Sequence, residues 1–564
     1  MFSGESDDDV ASSSDDESDI DWSATSSEGE LEEDEIYDPE GADSDDDAPG
    51  CCHWSTKNEN QPDQISPVGG LDEFGTCPVN FDNEFAPRNL VELIIDDEFL
   101  DNCIDATNAH GANDINYVSR VGILMNNEKG RSFIKGFLAI KWHLSLICYP
   151  NKRWAWSDDP LKAQQEIKKL MPFKAFQSLA KHFCVVCQID LPAKGTAGYH
   201  PLQNILSGVE LLRQKSIALW TSGSKLCIDE GRVCSKSKRN AYEIRNPDKP
   251  IKMGWTIYKL GEKGQFGRYM ITNHLVKVGN KTYTSTAKGK TYNIVEQLIE
   301  AHKNQGKMLV LDSGFPTLSL IKDAKSVWNM SIVATQRGRT AHFPSRHSDF
   351  VKKVKNFARG YSKTHHKDFI TITYWNDNNA VCFVDNDIDS RQESWTTTSV
   401  RNRQGDEVGV HIPRVAVLYR SVYGWVDRCN QQLAYYNAEF RTVRKQNRVL
   451  DSLIEMYALV NSHTIWGNSN LRAKPFNESA AFRFEVIRVW FAKFKLQNAR
   501  KEILHYPARQ PRTRRSIRTV ALSPRKGKSM HLSFSEIRSN YRDKVARVQF
   551  SRPYSNVVLF YFIQ

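Results

Sequence analysis

The chain has 564 residues, enough for several domains, and carries 76 Lys and Arg against 67 Asp and Glu, a net charge of +9. The first 50 residues hold 21 acidic and no basic residues, which leaves 46 acidic against 76 basic residues in 51–564. The net charge of residues 51–564, here called the basic body, is therefore about +30. This charge predicts a polyanionic partner such as nucleic acid, and a generic basic protein is the alternative. The sequence contains no run of 18 apolar residues, so no membrane span is predicted. Eleven scattered cysteines without a secretory signal predict reduced thiols in the cytosol or nucleus.

Residues 1–75 are rich in Asp, Glu and Ser and poor in apolar side chains. Such a segment buries too little surface to offset the entropy of ordering it, so we predict a disordered acidic tail. Two roles remain open. The tail either competes with nucleic acid for the basic surface, under the control of acidophilic kinases, or only keeps the protein soluble.

Residues 80–215 are predicted to form a helical domain, because apolar residues such as Leu90, Leu93 and Ile94 recur near the helical period. Cys184 and Cys187 form a single C-x-x-C pair near its end. A zinc site needs a second pair of ligands at a suitable spacing, and none follows. We therefore expect core thiols and no structural zinc.

Two acidic side chains stand where predicted strands end. The apolar run Leu226–Ile228 leads into Asp229, and Met308–Leu311 leads into Asp312. Strands are predicted at 225–229, 251–260, 268–278, 307–312 and 330–335, with a helix at 293–304. A third acid, Asp427, lies in a helix predicted over 414–436. Taken singly, each acid has an alternative interpretation as a turn or cap residue.

Together, two strand-end acids and one helical acid are what a two-metal phosphoryl-transfer site requires. Mg²⁺, or Mn²⁺ in its place, is held by a few carboxylates together with substrate phosphates. Two ions about 4 Å apart would activate the attacking hydroxyl and stabilise the leaving oxygen. The sequence therefore predicts Asp229, Asp312 and Asp427 as metal-binding and catalytic residues.

Candidate DNA contacts follow the first acid and recur in an inserted region, 338–412. The basic residues Lys236, Lys238, Arg239 and Arg245 either contact phosphates or form a solvated loop. A hairpin is predicted in ITITYWNDNNAVCFVDN, and its Trp375 either stacks on an unpaired base or packs in the core.

The predicted helix that carries Asp427 and two amphipathic helices after it complete the core over 413–497. Residues 498–564 begin as a polar and basic tail. We interpret this tail as a nuclear-localisation or DNA-backbone segment, with a disordered basic linker as the alternative. A nuclear location is expected from the first interpretation.

Three sequence blocks resemble those of piggyBac-family DNA transposases, and the resemblance runs from about residue 80 to 495. The first block is LCIDEGRV followed by Lys249, Pro250, Lys252 and Gly254. The second is MLVLDSGFPTLSLIKDAK, which contains Asp312, and the third is YGWVDRCNQQLAYY, which contains Asp427.

The resemblance implies an α/β fold: an RNase H-like catalytic core in two parts, 220–337 and 413–497, with an inserted β-hairpin region and a preceding helical domain. In the family that domain helps to dimerise the protein and bind DNA, and the alternative is that its helices are scaffold alone. It implies that water cuts the transposon end and that the freed 3′-hydroxyl attacks the opposite strand to form a hairpin. The same three acids and two Mg²⁺ ions would then join the ends at TTAA targets.

The sequence also departs from the family pattern. Asn430 stands where the family has a fourth acid, Ser313 and Trp425 alter block flanks, and the cysteine-rich zinc module of the family is missing, since the last cysteine is Cys429. These departures favour an alternative, a domesticated and catalytically inactive DNA-binding or chromatin protein. A third alternative is an RNase H-like nuclease of other purpose, which fits the three acids but not the three blocks.

Overall fold

We analysed a computed structural model of the chain. The structure describes residues 72–147, 149, 151–187, 191–193, 196–235, 244–246, 251–278, 288–336, 359–377, 379–387, 396–401, 407–436 and 446–502. The predicted acidic tail lies outside the described residues except for 72–75, and the predicted basic tail except for 498–502. Lys236, Lys238 and Arg239 also lie outside them.

Helices dominate both ends of the described chain. The N-terminal set comprises α1 (Pro87–Ile94), α2 (Asp97–Gly111), α3 (Ile115–Arg120), α4 (Glu128–Ile147), a 3₁₀ turn (Lys152–Trp156), α5 (Gln165–Leu170), α6 (Phe173–His182) and α7 (Gln203–Ile217). Later helices are α8 (Lys290–Ile299) with a 3₁₀ turn (Glu300–His302), α9 (Leu318–Ser326), α10 (Arg414–Val422), α11 (Trp425–Tyr435), α12 (Gln446–Glu455) with a π-helical turn (Met456–Val460), α13 (Asn461–Gly467) and α14 (Ser479–Glu502). No helix in this part of the chain is long and apolar enough to cross a membrane.

The first and last helices share one hydrophobic core. Trp142 of α4 and Trp490 of α14 are both buried, and their ring centroids lie 5.2 Å apart. The Trp490 indole N–H donates to Glu92 of α1 at 3.0 Å. Gly136 of α4 lies against Phe494, so an added Cβ would come within 3.0 Å of that ring. Two segments far apart in sequence therefore form one hydrophobic core.

Nine strands of the described chain form one mixed sheet. They are β1 (Lys225–Cys234), β2 (Ile244–Arg245), β3 (Met253–Lys263), β4 (Tyr269–Val276), β5 (Met308–Leu311), β6 (Ser331–Thr335), β7 (Ser362–Lys367), β8 (Ile370–Asn376) and β9 (Ala380–Asp385). Their order is β2-β3-β1-β5-β6-β9-β8-β7, and β4 pairs with β3. β1, β5 and β6 run parallel, and the pairs β1–β3, β3–β4 and β6–β9 are antiparallel. The five strands predicted between 225 and 335 form, but the first is longer than predicted. β1 continues past Asp229 to Cys234, because residues 227–234 pair with β3.

The predicted insertion is, in part, a continuation of this sheet. The predicted hairpin of β8 and β9 forms, but Asn376, predicted as the start of its turn, is the last residue of β8 and pairs with Ala380. However, β9 pairs with β6, and β7 extends the same sheet beyond β8. Only β10 (Thr396–Arg401) and β11 (Glu407–Ile412) form a separate two-stranded ribbon among the described strands. The physical reason is that β8 and β9 are buried almost throughout, which a protruding hairpin would not be.

Each face of the central strands is covered by different helices. Leu226 and Ile228 of β1 pack in a core with residues of α8 and α9. Cys227 and Val233, on the opposite face, pack in a core with residues of α10 and α11. The helix predicted over 414–436 is thus two helices that break around Gly424. Of the three parallel strands, β5 ends at Leu311 and β6 at Thr335, whereas β1 continues to Cys234. α10 packs on β6, and α11 packs on β1 and β3.

Candidate active site

Asp229 lies near the middle of the long strand β1, where its parallel neighbour β5 has ended. Ile228 is level with Leu311, so Asp229 and Asp312 follow at adjacent positions on neighbouring strands. The Asp229 side chain is half-buried, and its Oδ1 accepts from the Glu230 backbone N–H at 2.6 Å. The strand pairing thereby places two of the predicted acids side by side.

Asp312 follows β5 directly and is exposed. Thr335, the last residue of β6, donates its hydroxyl to Asp312 Oδ1 at 3.4 Å, and its oxygen lies 3.3 Å from the Tyr419 hydroxyl. Tyr419 is buried on α10, and its pKa is raised well above the usual value by burial and then by the charge of Asp312. These contacts join the end of the sheet to the first helix above it.

Asp427 lies in the first turn of α11, and glycines allow this helix to approach the sheet. Val426 and Cys429 are buried against β1 and β3. A Cβ added at Gly261 would come within 2.8 Å of the Val426 side chain, so the helix needs a glycine there. Because Val426 points to the sheet, its neighbour Asp427 stands exposed at the helix flank.

The three acids are close enough to affect each other electrostatically. The pKa of Asp229 is raised well above its usual value, first by burial and then by the charges of Asp427 and Asp312. The structure therefore places Asp312 and Asp427 within electrostatic range of Asp229.

The sequence analysis missed Lys259, which lies inside this acidic site. Lys259 on β3 is the cross-strand partner of Asp229, and cross-strand partners point to the same face of a sheet. Its Nζ donates to Asn430 Oδ1 at 2.7 Å. Burial lowers the pKa of Lys259 to about 8, against the opposing effects of Cys429, Asp229 and Asp427. A charged residue inside the buried run WTIYKLG was the available signal.

Of the predicted DNA-contact residues that the structure describes, Arg245 is exposed and Trp375 is buried. Arg245 is exposed on the short strand β2, which is compatible with phosphate contact. The base-stacking hypothesis for Trp375 is not supported: the side chain is 1% exposed, and its N–H donates to the His411 carbonyl at 3.1 Å. Arg420 covers the ring at 4.7 Å from its centroid. Trp375 is a packing residue, the alternative that the sequence left open.

The C-x-x-C pair is divided between interior and surface. Cys184 is buried and Cys187 is exposed. The nearby His182 ring is bonded to Asp114 at 2.9 Å and to His110 at 2.8 Å. All the cysteines that the structure describes are free thiols.

The donor set fits a divalent ion in charge and chemistry. Three carboxylates are hard oxygen ligands, the type that Mg²⁺ and Mn²⁺ prefer. Burial, and then the charges of Asp427 and Asp312, raise the pKa of Asp229, and a bound cation would favour its ionised form. In the described ranges, no three His, Cys, Asp or Glu side chains already lie close enough to hold an ion. The acids would therefore have to move closer together to share one.

Comparison with known proteins places this site in context. The fold is similar to that of the piggyBac transposase in the cryo-EM structure of its synaptic complex with hairpin DNA, with a TM-score of 0.58 and 17% sequence identity. The similarity covers 74% of this chain and 82% of that chain, and at this identity it is evidence for the fold alone. No curated protein sequence matches the chain. The family model described as Transposase IS4 matches residues 86–463, more than half of the chain, and the protein therefore belongs to that transposase family.

Proposed function

We propose that the protein is a piggyBac-like DNA transposase that cuts and rejoins DNA by phosphoryl transfer at Asp229, Asp312 and Asp427. The observation that carries this proposal is the β1–β5 register, which sets Asp229 beside Asp312, with Asp427 near enough for its charge to act on Asp229 as well. Membership of a transposase family and the fold shared with piggyBac transposase support it.

The proposed core is RNase H-like. Its support is the run of five adjacent strands β4-β3-β1-β5-β6, with Asp312 at the end of β5, Asp229 beside it on β1, and Asp427 on the helix that packs on β1 and β3. Ligands of α/β sheets commonly bind at the carboxyl ends of the strands. The +30 body charge supports DNA as the partner, and a nuclear location and a homodimer complete the proposal.

In this proposal the acids hold divalent metal, which transposases of this class generally use. When bound, such metal activates the attacking hydroxyl and offsets charge on the leaving oxygen. The protein supplies position: Thr335 orients the Asp312 carboxylate, and the Glu230 N–H orients that of Asp229. Water would cut one strand, and the freed 3′-hydroxyl would attack the opposite strand to leave a hairpin. The same site would later join the ends to TTAA targets.

A second candidate function is DNA binding without strand transfer. The specific observation in its favour is that Asn430 replaces the fourth acid of the resembled family and is bonded to Lys259. An amide contributes no negative charge to a metal, and a lysine opposes metal binding nearby.

Purified full-length protein, mixed with Mg²⁺ or Mn²⁺ and labelled hairpin-ended DNA, separates the two candidates. We expect hairpin opening that Asp312→Asn reduces at least about 100-fold, because losing even an outer contact to a metal ligand costs 10–100-fold. Asp368→Asn is the matched control: Asp368 is exposed and has φ of 53°, a conformation that Asn also adopts.

Salt-dependent DNA binding by wild type, with no opening in either metal, would favour the second candidate. Opening that survives Asp312→Asn would remove the assigned site from the reaction.

A further inference from the structure

The strongest unexplained feature of the site is a buried positive charge. Lys259 is 3% exposed, so its ammonium cannot contact DNA from outside. Burying an ammonium is unfavourable unless nearby groups compensate for the lost hydration. Those groups are the Asn430 amide oxygen, at 2.7 Å, and the charges of Asp229 and Asp427. Lys259 therefore belongs electrostatically to the acidic site.

The surrounding backbone fixes Lys259 in this place. Gly231 of β1 lies directly under the pair: a Cβ there would come within 2.8 Å of Asn430 Oδ1 and 2.9 Å of Lys259 Nζ. Asn430 Nδ2 donates to the Glu230 carbonyl at 3.3 Å, which turns its oxygen toward the lysine. The amide is thus held as an acceptor for an ammonium.

One divalent ion is enough to neutralise the negative charge of this site, whereas the sequence predicted two. In the form that binds metal all three carboxylates are ionised and carry −3, and the Lys259 ammonium reduces this to −2. One divalent cation neutralises that remainder before DNA is bound. A second divalent cation beside Asn430 would meet a neutral amide and a fixed positive charge, both of which weaken its binding.

We propose that Lys259 is a built-in cation that takes the place of one divalent metal ion, so that the site binds one ion tightly instead of two. Asn430 is its positioning partner, since an amide accepts from the ammonium without competing for metal. This inference rests on the proposed function, because it assumes that Asp229, Asp312 and Asp427 are the metal ligands.

Counting bound Mn²⁺ by electron paramagnetic resonance on the full-length protein tests the inference without any activity assay. We expect one tight Mn²⁺ per chain, which Asp312→Asn weakens, and a second at least about tenfold weaker, given the repulsion of a nearby unit charge. Two equally tight ions in wild type would overturn the inference and leave the proposed function standing. No bound ion, or binding unaffected by Asp312→Asn, would overturn both.

Variants separate a built-in cation from a lysine that only supports the fold. Lys259→Met removes the charge at similar volume, and we expect the second Mn²⁺ to bind about tenfold more tightly. In Asn430→Asp the new carboxylate pairs with Lys259, so the count stays at one. Combining the two substitutions should give two tight ions.

A matched control addresses the general effect of removing a buried lysine. Lys307 is 1% exposed and precedes β5, at the end of that strand away from Asp312. Lys307→Met should leave the Mn²⁺ count unchanged, with folding of every variant checked by circular dichroism. If Lys259→Met folds and leaves the second ion as weak as in wild type, the inference is wrong; if it does not fold, the wild-type count decides.

Discussion

The buried side chain of His463 contributes to the pH dependence of this protein's stability. His463 of α13 is 5% exposed, and one ring nitrogen donates to the Asn477 carbonyl at 2.8 Å. Burial, with a contribution from Arg268, lowers the pKa of His463 from 6.5 to about 3. The folded protein therefore keeps this ring neutral at a pH where the unfolded chain protonates it.

The sign of the effect follows from proton linkage. Below pH 6.5 the unfolded state binds the proton and the folded state does not, so the free energy of unfolding falls as pH falls, until the folded pKa is reached. His463 should contribute a loss of about 1.4 kcal/mol per pH unit between pH 6 and 4.

We expect His463→Gln, which can keep the bond to Asn477, to flatten the pH dependence by about that amount. Urea unfolding at several pH values measures it. The control is the range above about pH 7.5, where neither the folded nor the unfolded state protonates the ring, so wild type and His463→Gln should show the same slope there. Equal slopes for His463→Gln and wild type at acid pH would contradict the assignment.

Residue types after an apolar run were enough to single out Asp229 and Asp312 as candidate site residues, although β1 continues beyond Asp229 to Cys234 and only Asp312 follows the end of its strand. They were not enough to predict Lys259. That side chain reaches Asn430 because β1 and β3 pair with Asp229 opposite Lys259. The sequence of either strand alone does not determine this register. Trp375 shows the same limit, because its burial depends on the ribbon that lies across it.

Among the elements, β3 is the strand on which the arrangement of the site depends. It pairs with β1, β2 and β4, and it carries Gly254, one of the residues on which the family resemblance rested. A Cβ at Gly254 would lie 2.2 Å from the Val233 carbonyl oxygen, so the glycine is needed for β1 and β3 to pair. The motif glycine thus has a structural explanation.

Gly254→Ala should destabilise the protein by about 1–3 kcal/mol, because backbone atoms must shift to admit the methyl group. A lower urea midpoint would show it. Gly314→Ala, where an added Cβ meets nothing within 4 Å, is the matched control and should change the midpoint little. Indistinguishable midpoints for the two variants would mean that the strands can separate without cost.

Strand and helix positions in the core were predictable because β-branched and apolar runs alternate there with Gly and Pro. The role of β7–β9 was not predictable in the same way. A hairpin signal reports which two segments pair with each other, whereas the choice of β6 as their neighbour is a tertiary contact between segments distant in sequence.

For the whole molecule, the division of charge is the dominant property. Residues 1–50 carry −21, and the remainder carries about +30. A basic body binds duplex DNA by releasing counterions, so its affinity should fall linearly with salt on a double logarithmic plot, by about 0.9 per phosphate contacted.

Deleting residues 1–71 should tighten non-specific DNA binding and steepen this salt dependence, because the acidic tail would no longer compete for the basic surface. Fluorescence anisotropy with a labelled duplex across a salt series measures both quantities. Unchanged affinity at every salt concentration would show that the tail only aids solubility.

The shared core of α4 and α14 bears on how the protein is made. Glu92 and its partner Trp490 are 398 residues apart, and a ribosome adds roughly 5–20 residues per second. The early helices therefore leave the exit tunnel on the order of 20–80 seconds before the helix that covers their apolar side. During that interval their hydrophobic side is exposed to solvent. Newly made chains should therefore depend on a chaperone that shields this side until α14 has been synthesised.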